Sequence, residues 1–235
     1  MTSFWILRRL VIAKHHPSAV LLAAQLLGVL LYALLEDLPG GRAVLAAFGL
    51  VVLGAALQVV RSSPWLTWFG NTLAVVIVTL LSINMLWPST HLDIAASVVL
   101  AAFYFYAAGA LIAYMLQDQV ASLDEFYAVG ATFTLMAWAF AHLYVVCQAL
   151  VAGSFAGAVN PEETRSWMEL LFLSFTILSG VGLGDIIPLA PMARALVMLE
   201  EFTGVMYLAL VVSRLITLAA ASRAAAPPSS IDDDS

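Results

Sequence analysis

The chain has 235 residues, 63% of them hydrophobic and 10% charged, and its mean hydropathy of +1.00 excludes a soluble globular domain. Its formal net charge of -6 includes the run Asp232, Asp233, Asp234, which reads as a solvated tail, so the balance points to no nucleic-acid partner. Cys147 is the single cysteine, which excludes an intrachain disulfide, a thiolate metal cage and Cys-X-X-Cys redox chemistry.

Residues 1–16 alternate apolar residues with Arg8, Arg9, Lys14, His15 and His16, a pattern that predicts a short amphipathic helix at the lipid headgroups. A cleaved signal peptide fits less well, because a full-length apolar run begins after Pro17 and simply continues. Six apolar runs follow, at 18–35, 43–60, 65–87, 94–116, 127–152 and 193–220. Each approaches or exceeds the roughly 20 residues that a helix needs to cross a hydrocarbon core about 30 Å thick. Short turn signals separate them: Pro39-Gly40-Gly41, Ser62-Ser63-Pro64, Pro88-Ser89-Thr90 and the polar stretch 117–125. Neighbouring helices are therefore antiparallel. With the N-terminus inside, Arg8, Arg9, Lys14, Arg61, Arg214 and Arg223 fall on the inner side and only Arg42, Arg165 and Arg194 outside, which predicts a multi-pass protein of the plasma (inner) membrane with both termini cytoplasmic. Trp65, Trp68 and Trp87 sit where interfacial aromatic belts occur. Gly28, Gly54, Gly109 and Gly130 read as sites of close helix packing.

One segment breaks the pattern. A polar loop, 153–165, leads into an apolar stretch, 166–179, that is too short to cross and reads as a re-entrant helix. Thr164 is its expected cap, and Glu169 lies near its first turn, where a carboxylate meets the positive end of the helix dipole. Directly after it stand Gly180-Val181-Gly182-Leu183-Gly184-Asp185, then Pro188 and Pro191. Three glycines in five residues do not continue a helix, and unwound backbone at membrane depth survives only where it lines water or is buried in protein. Glu200 and Glu201 lie about two turns inside the last span, where ionisable groups point to function. Glu200 reads as a buried brace behind the loop, within reach of Thr176, Ser179 or His142; Glu201 has no assigned role. His142 itself reads as a packing residue, since no second ligand accompanies it, and His15 and His16 read as headgroup anchors that titrate near neutrality.

The run from Ser174 to Pro188 resembles the signature of potassium channels, a short pore helix followed by a Thr-Val-Gly-Tyr-Gly-Asp filter. The stretches 191–200 and 207–216 look like the inner helix of bacterial ion-channel family proteins, and Gly204 falls where such channels place a hinge glycine. The likeness covers 127–220. It implies that the carbonyls of Gly180, Val181, Gly182, Leu183 and Gly184 line an ion path, with K+ held at Gly180, Val181, Gly182 and Leu183, and that Thr176, Ser179, Asp185 and Glu200 support the filter. It also implies that four copies close the ring, so the expected partners are the chain itself as a homotetramer and membrane lipid, with no cofactor beyond the conducted K+. Gly180 stands where the family has threonine, Leu183 replaces the common tyrosine, as in some two-pore-domain potassium channels, and Phe172 and Leu173 take positions that often hold tryptophan.

The fold expected is thus all-α and transmembrane, with six spans and a re-entrant pore helix in a tetrameric cation-channel pore. Its parts are an amphipathic N-terminus (1–16), four helices that carry no recognisable motif (17–126), a pore domain (127–220) and a disordered cytoplasmic tail (221–235). Passive potassium conduction with weak voltage dependence follows, because 94–116 contains no charged residue. Three alternatives stay open: a weakly selective Na+/K+ channel, a Gly-X-Gly-Asp intramembrane aspartyl protease built on Asp185, and a noncatalytic membrane scaffold. The protease needs a second aspartate at the same depth, and Asp93, Asp118 and Asp124 are not placed to supply it.

Overall fold

The structure, a computed structural model, describes residues 16–35, 38, 41–60, 64–117 and 123–224. The headgroup helix expected over 1–16 lies outside the described residues apart from His16, as do Arg61 and the tail beyond Ala224. Among the described residues there are seven α-helices: α1 (Pro17–Leu35), α2 (Gly41–Val60), α3 (Pro64–Leu86), α4 (Thr90–Gln117), α5 (Leu123–Leu150), α6 (Trp167–Leu178) and α7 (Pro191–Ala224). Five of them, α1, α3, α4, α5 and α7, contain stretches long and apolar enough to cross a membrane; α2 supplies the shorter apolar stretch Phe48–Val59. Each runs apolar on all sides, as expected of helices that face lipid or one another. With 12 residues, α6 is about 18 Å long at 1.5 Å per residue and cannot cross.

The all-α expectation needs one correction. Two three-residue strands, β1 (Phe155–Gly157) and β2 (Ile186–Pro188), pair antiparallel with Phe155 opposite Pro188 and Gly157 opposite Ile186. This ribbon lies in the stretches expected to be loop, on either side of α6.

The helices α1 to α5 form a ring: α1 packs on α2, α2 on α3, α3 on α4, α4 on α5, and α5 returns to α1. The α4–α5 interface is the most extensive, since small residues such as Ala107, Ala108, Ala131 and Ala139 let the two backbones approach. The window that defines the α5 span is 61% buried and that of α7 only 17%, so α5 is the central post and α7 is covered on one side alone. Polar clasps hold the ends. Asp124 accepts from both the backbone N–H (3.2 Å) and the hydroxyl (2.9 Å) of Ser18, tying the start of α1 to that of α5. Arg214 donates to Glu125 at 2.8 Å, tying the far end of α7 to the same place, with both side chains largely buried. Between α3 and α4, Asn84 donates to Asp93 (2.6 Å) and accepts from the Ser89 N–H (3.0 Å).

Two glycines of the ring differ in what surrounds them. A Cβ on Gly28 would lie 3.1 Å from both Phe48 Cε1 and Trp138 Cη2, whereas a Cβ on Gly49 meets nothing within 4 Å. Gly28→Leu is therefore expected to cost about 1–3 kcal/mol by overpacking, and Gly49→Ala to be neutral or slightly stabilising through helix propensity. Thermal unfolding of the two variants in one detergent checks the contrast.

Candidate pore and filter

The start of α6 is fixed by a capping box. The Ser166 hydroxyl accepts from the Glu169 N–H (3.3 Å) and the Glu169 carboxylate accepts from the Ser166 N–H (2.7 Å), so the cap is Ser166 and not Thr164. The reason is register: the Ser-X-X-Glu spacing begins at 166, and from 164 the third residue on is Trp167. Arg165, only 5% exposed, then ties the preceding loop to the helix. Its guanidinium donates to Glu169 (2.9 Å), to the Asn160 carbonyl (2.6 Å), to the Glu163 carbonyl (2.6 Å) and to the Val159 carbonyl (3.3 Å). The Gln148 side-chain amide grips its backbone on both sides, donating to the Arg165 carbonyl (2.9 Å) and accepting from its N–H (3.1 Å). Nothing local in the sequence pairs Gln148 with Arg165, and a lone outer arginine looks like a topology marker.

At the other end of α6 the chain unwinds. Helix ends leave carbonyls without partners, and here the following loop supplies the donors. The Gly180 N–H reaches the Ile177 carbonyl (2.9 Å), while the Thr176 carbonyl accepts from the N–H groups of Val181 (2.9 Å) and Gly182 (3.0 Å) and from the Ser179 hydroxyl (3.2 Å). Left-handed φ values at Gly180 (74°), Gly182 (54°) and Gly184 (75°) alternate with Val181 and Leu183. Only glycine takes such angles without strain. Among the described residues every peptide bond is trans, and a trans peptide holds its C=O antiparallel to its N–H. Since the N–H groups of residues 180, 181 and 182 face α6, the carbonyls of Ser179, Gly180 and Val181 face away from it. Residues 179–185 are all exposed in the single chain.

The ribbon clamps the far side of this loop. The Asp185 carbonyl accepts from the Ala158 N–H (2.7 Å), and the Ser154 carbonyl accepts from the N–H of Leu189 (2.8 Å). The Thr176 hydroxyl donates back to the Leu173 carbonyl (2.8 Å), so it is occupied within α6.

Glu200 is fully buried, as a brace requires, but its partners differ from those expected. It is hydrogen-bonded to the hydroxyls of Tyr144 and Ser174, and not to Thr176, Ser179 or His142. The Ser174 hydroxyl also reaches the Ala137 carbonyl (2.7 Å). One carboxyl thereby joins α5, α6 and α7. The sequence offered no spacing from which Tyr144 or Ser174 could be found. His142 packs as expected, stacked on Tyr104 (5.8 Å between ring centroids, 23°) and close to Trp167 (4.3 Å). Gly204 lies against the end of α6: a Cβ there would collide with the Leu178 carbonyl oxygen and lie 2.9 Å from its carbon. The helix α7 runs unbroken through this point.

Span, loop, short helix, glycine loop and span thus follow one another with the loop stitched at both ends. Residues 132–221 match a family model described as an ion channel. The ion-channel module so matched covers most of α5, all of α6 and the glycine loop, and nearly all of α7, and it points to a transport protein rather than an enzyme. No curated protein and no solved structure matches the chain.

In the ion-channel module, Glu200→Gln keeps one donor and one acceptor for the two hydroxyls, whereas Glu200→Ala leaves the Tyr144 hydroxyl unpartnered and the Ser174 hydroxyl with the Ala137 carbonyl alone. The glutamine variant is expected within about 1 kcal/mol of the parent and the alanine variant about 2–4 kcal/mol less stable. Thermal unfolding of the purified protein reads the difference, and equal losses in both would show that the hydrogen bonds do not carry the brace.

Proposed function

We propose that the chain is one subunit of a homotetrameric cation channel of the plasma membrane that conducts potassium passively, with six crossing helices and both termini cytoplasmic. One observation carries the reading: the loop after α6 turns its N–H groups onto the helix end and its carbonyls of Ser179, Gly180 and Val181 the other way, from an exposed position. Four such loops around an axis offer stacked rings of carbonyl oxygen that replace the hydration shell of an ion. In this reading K+ occupies rings made by Gly180, Val181, Gly182 and Leu183, and Gly184 completes the outer edge. Thr176 and Ser179 hold the loop to α6, Asp185 holds it to the ribbon, Glu200 holds α6 to its neighbours, and Gly204 is the point about which α7 bends on opening. A single chain has one such loop, so closure needs four copies, and lipid covers the rest.

Separate measurements of potassium, sodium and chloride flux in vesicles holding the purified protein test this reading. Potassium flux above sodium with no chloride flux is expected; equal potassium and sodium would select the weakly selective channel, and a functional monomer or dimer would end the proposal. The helix α4 contains no lysine or arginine. Moving one charge across the membrane is worth about 2.3 kcal/mol per 100 mV, so conductance is expected to vary only weakly with voltage.

Gly180 contributes a carbonyl and no hydroxyl, so the innermost ring lacks the side-chain oxygens that threonine gives the resembling family. Gly180→Thr is expected to raise the potassium-to-sodium permeability ratio, read as a shift of the reversal potential under biionic conditions. An unchanged ratio with conduction intact would mean that the missing hydroxyl does not limit selectivity.

A further inference from the structure

The helix ring is not closed along its whole length. At one end it packs tightly, around Ala56, Ala107, Ala108 and Ala131, all buried. At the other end, where α6 begins, the helices stand apart around a cavity of about 1120 Å³. Ligand sites in proteins commonly measure about 300–1,000 Å³, so the space suits a molecule and not a few waters. From Asp93 at its mouth to Tyr104 at its floor the cavity follows α4 for eleven residues, about 16 Å at the helical rise.

Its wall is a continuous run of rings. Tyr32 meets Trp167 (6.0 Å between centroids), Trp167 meets Trp138 (6.3 Å) and Trp138 meets Tyr104 (5.8 Å). Among the described residues, two charged side chains line the cavity, Asp93 and Arg165. The Arg165 guanidinium is already matched by Glu169 and three carbonyls. Asp93 takes one hydrogen bond, from Asn84, and enters no ion pair among the described residues. Of these two, Asp93 is the charge left unmatched among the described residues, and ring faces carry the same sign within. One further observation weighs against a hydrocarbon occupant. The ring nitrogens of Trp138 and Trp167 and Nδ1 of His142 have no partner, and such buried groups call for water or a ligand acceptor. Water that enters with a polar head group can accept from the two indole N–H groups, whereas a dry chain cannot.

We propose that this well binds an organic cation with an apolar body, an amine or quaternary ammonium entering from the side of the membrane that the pore loop faces. The cation sits against the faces of Tyr104, Trp138, Trp167 and Tyr32, and Asp93 draws it in. The site also touches the frame of the pore helix, because Trp167 is its first residue and Ser166 its cap, both lining the cavity. Occupancy therefore shifts α6 and alters ion flux, a consequence that rests on the channel reading, whereas binding itself does not.

The test uses the full chain in detergent and two probes, the (3-phenylpropyl)trimethylammonium ion and its neutral isostere with carbon in place of nitrogen. Calorimetric titration is expected to give about tenfold tighter binding of the cation, as cation–π contact in a partly desolvated cage implies. Gly49→Phe sends a ring into the cavity from a position where a Cβ touches nothing, and it is expected to abolish binding at an unchanged melting temperature. Asp93→Asn, on an exposed carboxylate, is expected to weaken the cation by several-fold and leave the isostere alone, and it carries the test if the phenylalanine variant folds poorly. Equal affinity for both probes, or no effect of Asp93→Asn, would overturn the assignment. In vesicles the cation is expected to change potassium flux in the parent and not in Gly49→Phe; inhibition that persists in that variant would instead mark block at the filter and remove the coupling. Absence of any ion flux would count against the channel reading and leave the binding titration as it stands.

Discussion

Backbone polar groups in a hydrocarbon layer have no water to turn to, and each one left without a partner costs several kcal/mol. The seven residues between α6 and β2 are unwound, so this constraint governs everything about them. The Thr176 carbonyl, freed by the end of α6, collects the N–H groups of Val181 and Gly182 and the Ser179 hydroxyl. Those contacts occupy the first donors of the loop, through Gly182, and turn the carbonyls of Ser179, Gly180 and Val181 away from α6. Positive φ at Gly180, Gly182 and Gly184 is what allows the chain to double back so closely. Carbonyls so presented are what the proposed cation path requires.

Such a loop holds its shape only if α6 does not move, and the surrounding residues see to that from three directions. Arg165 and Gln148 fix the N-terminal end, the β1–β2 ribbon fixes the chain beyond Asp185, and Glu200 fixes the middle through Ser174. Gly204 allows α7 to lie directly on the last carbonyl of α6, which no larger residue at that position permits. The glycine thus has a packing role in the conformation described, and any bend of α7 at this point would begin by releasing that contact.

Much of this was legible because membrane solvent imposes a coarse code. Runs of apolar residues with turn signals between them placed α1 to α5 and α7 within a few residues, and the shortness of 166–179 together with the glycines marked α6 as different. The cap was misplaced by two residues although the Ser166-X-X-Glu169 pattern was present, because a threonine after a polar loop is an equally common start. Three-residue strands have no periodicity to read, so β1 and β2 were invisible. The partners of Glu200 were invisible for another reason. Tyr144 and Ser174 lie 56 and 26 residues away, and nothing local to a helix shows which face it turns to a distant one.

The distribution of burial also says where the four motif-free helices stand relative to the module. The ring α1 to α5 closes on itself, and α6 packs between α5 and α7, so the glycine loop and most of α7 are left on one uncovered side. Val181 and Leu183 are each 63% exposed there, and a polar loop with such side chains would not be stable against lipid. Self-association of the proposed kind covers that side and pushes each helix ring to the periphery. Each cavity lies against the α6 of its own chain, through Trp167 and Ser166. In the proposed tetramer a molecule in one cavity would act on one loop of the four, so the cavities would bias a common ring by increments.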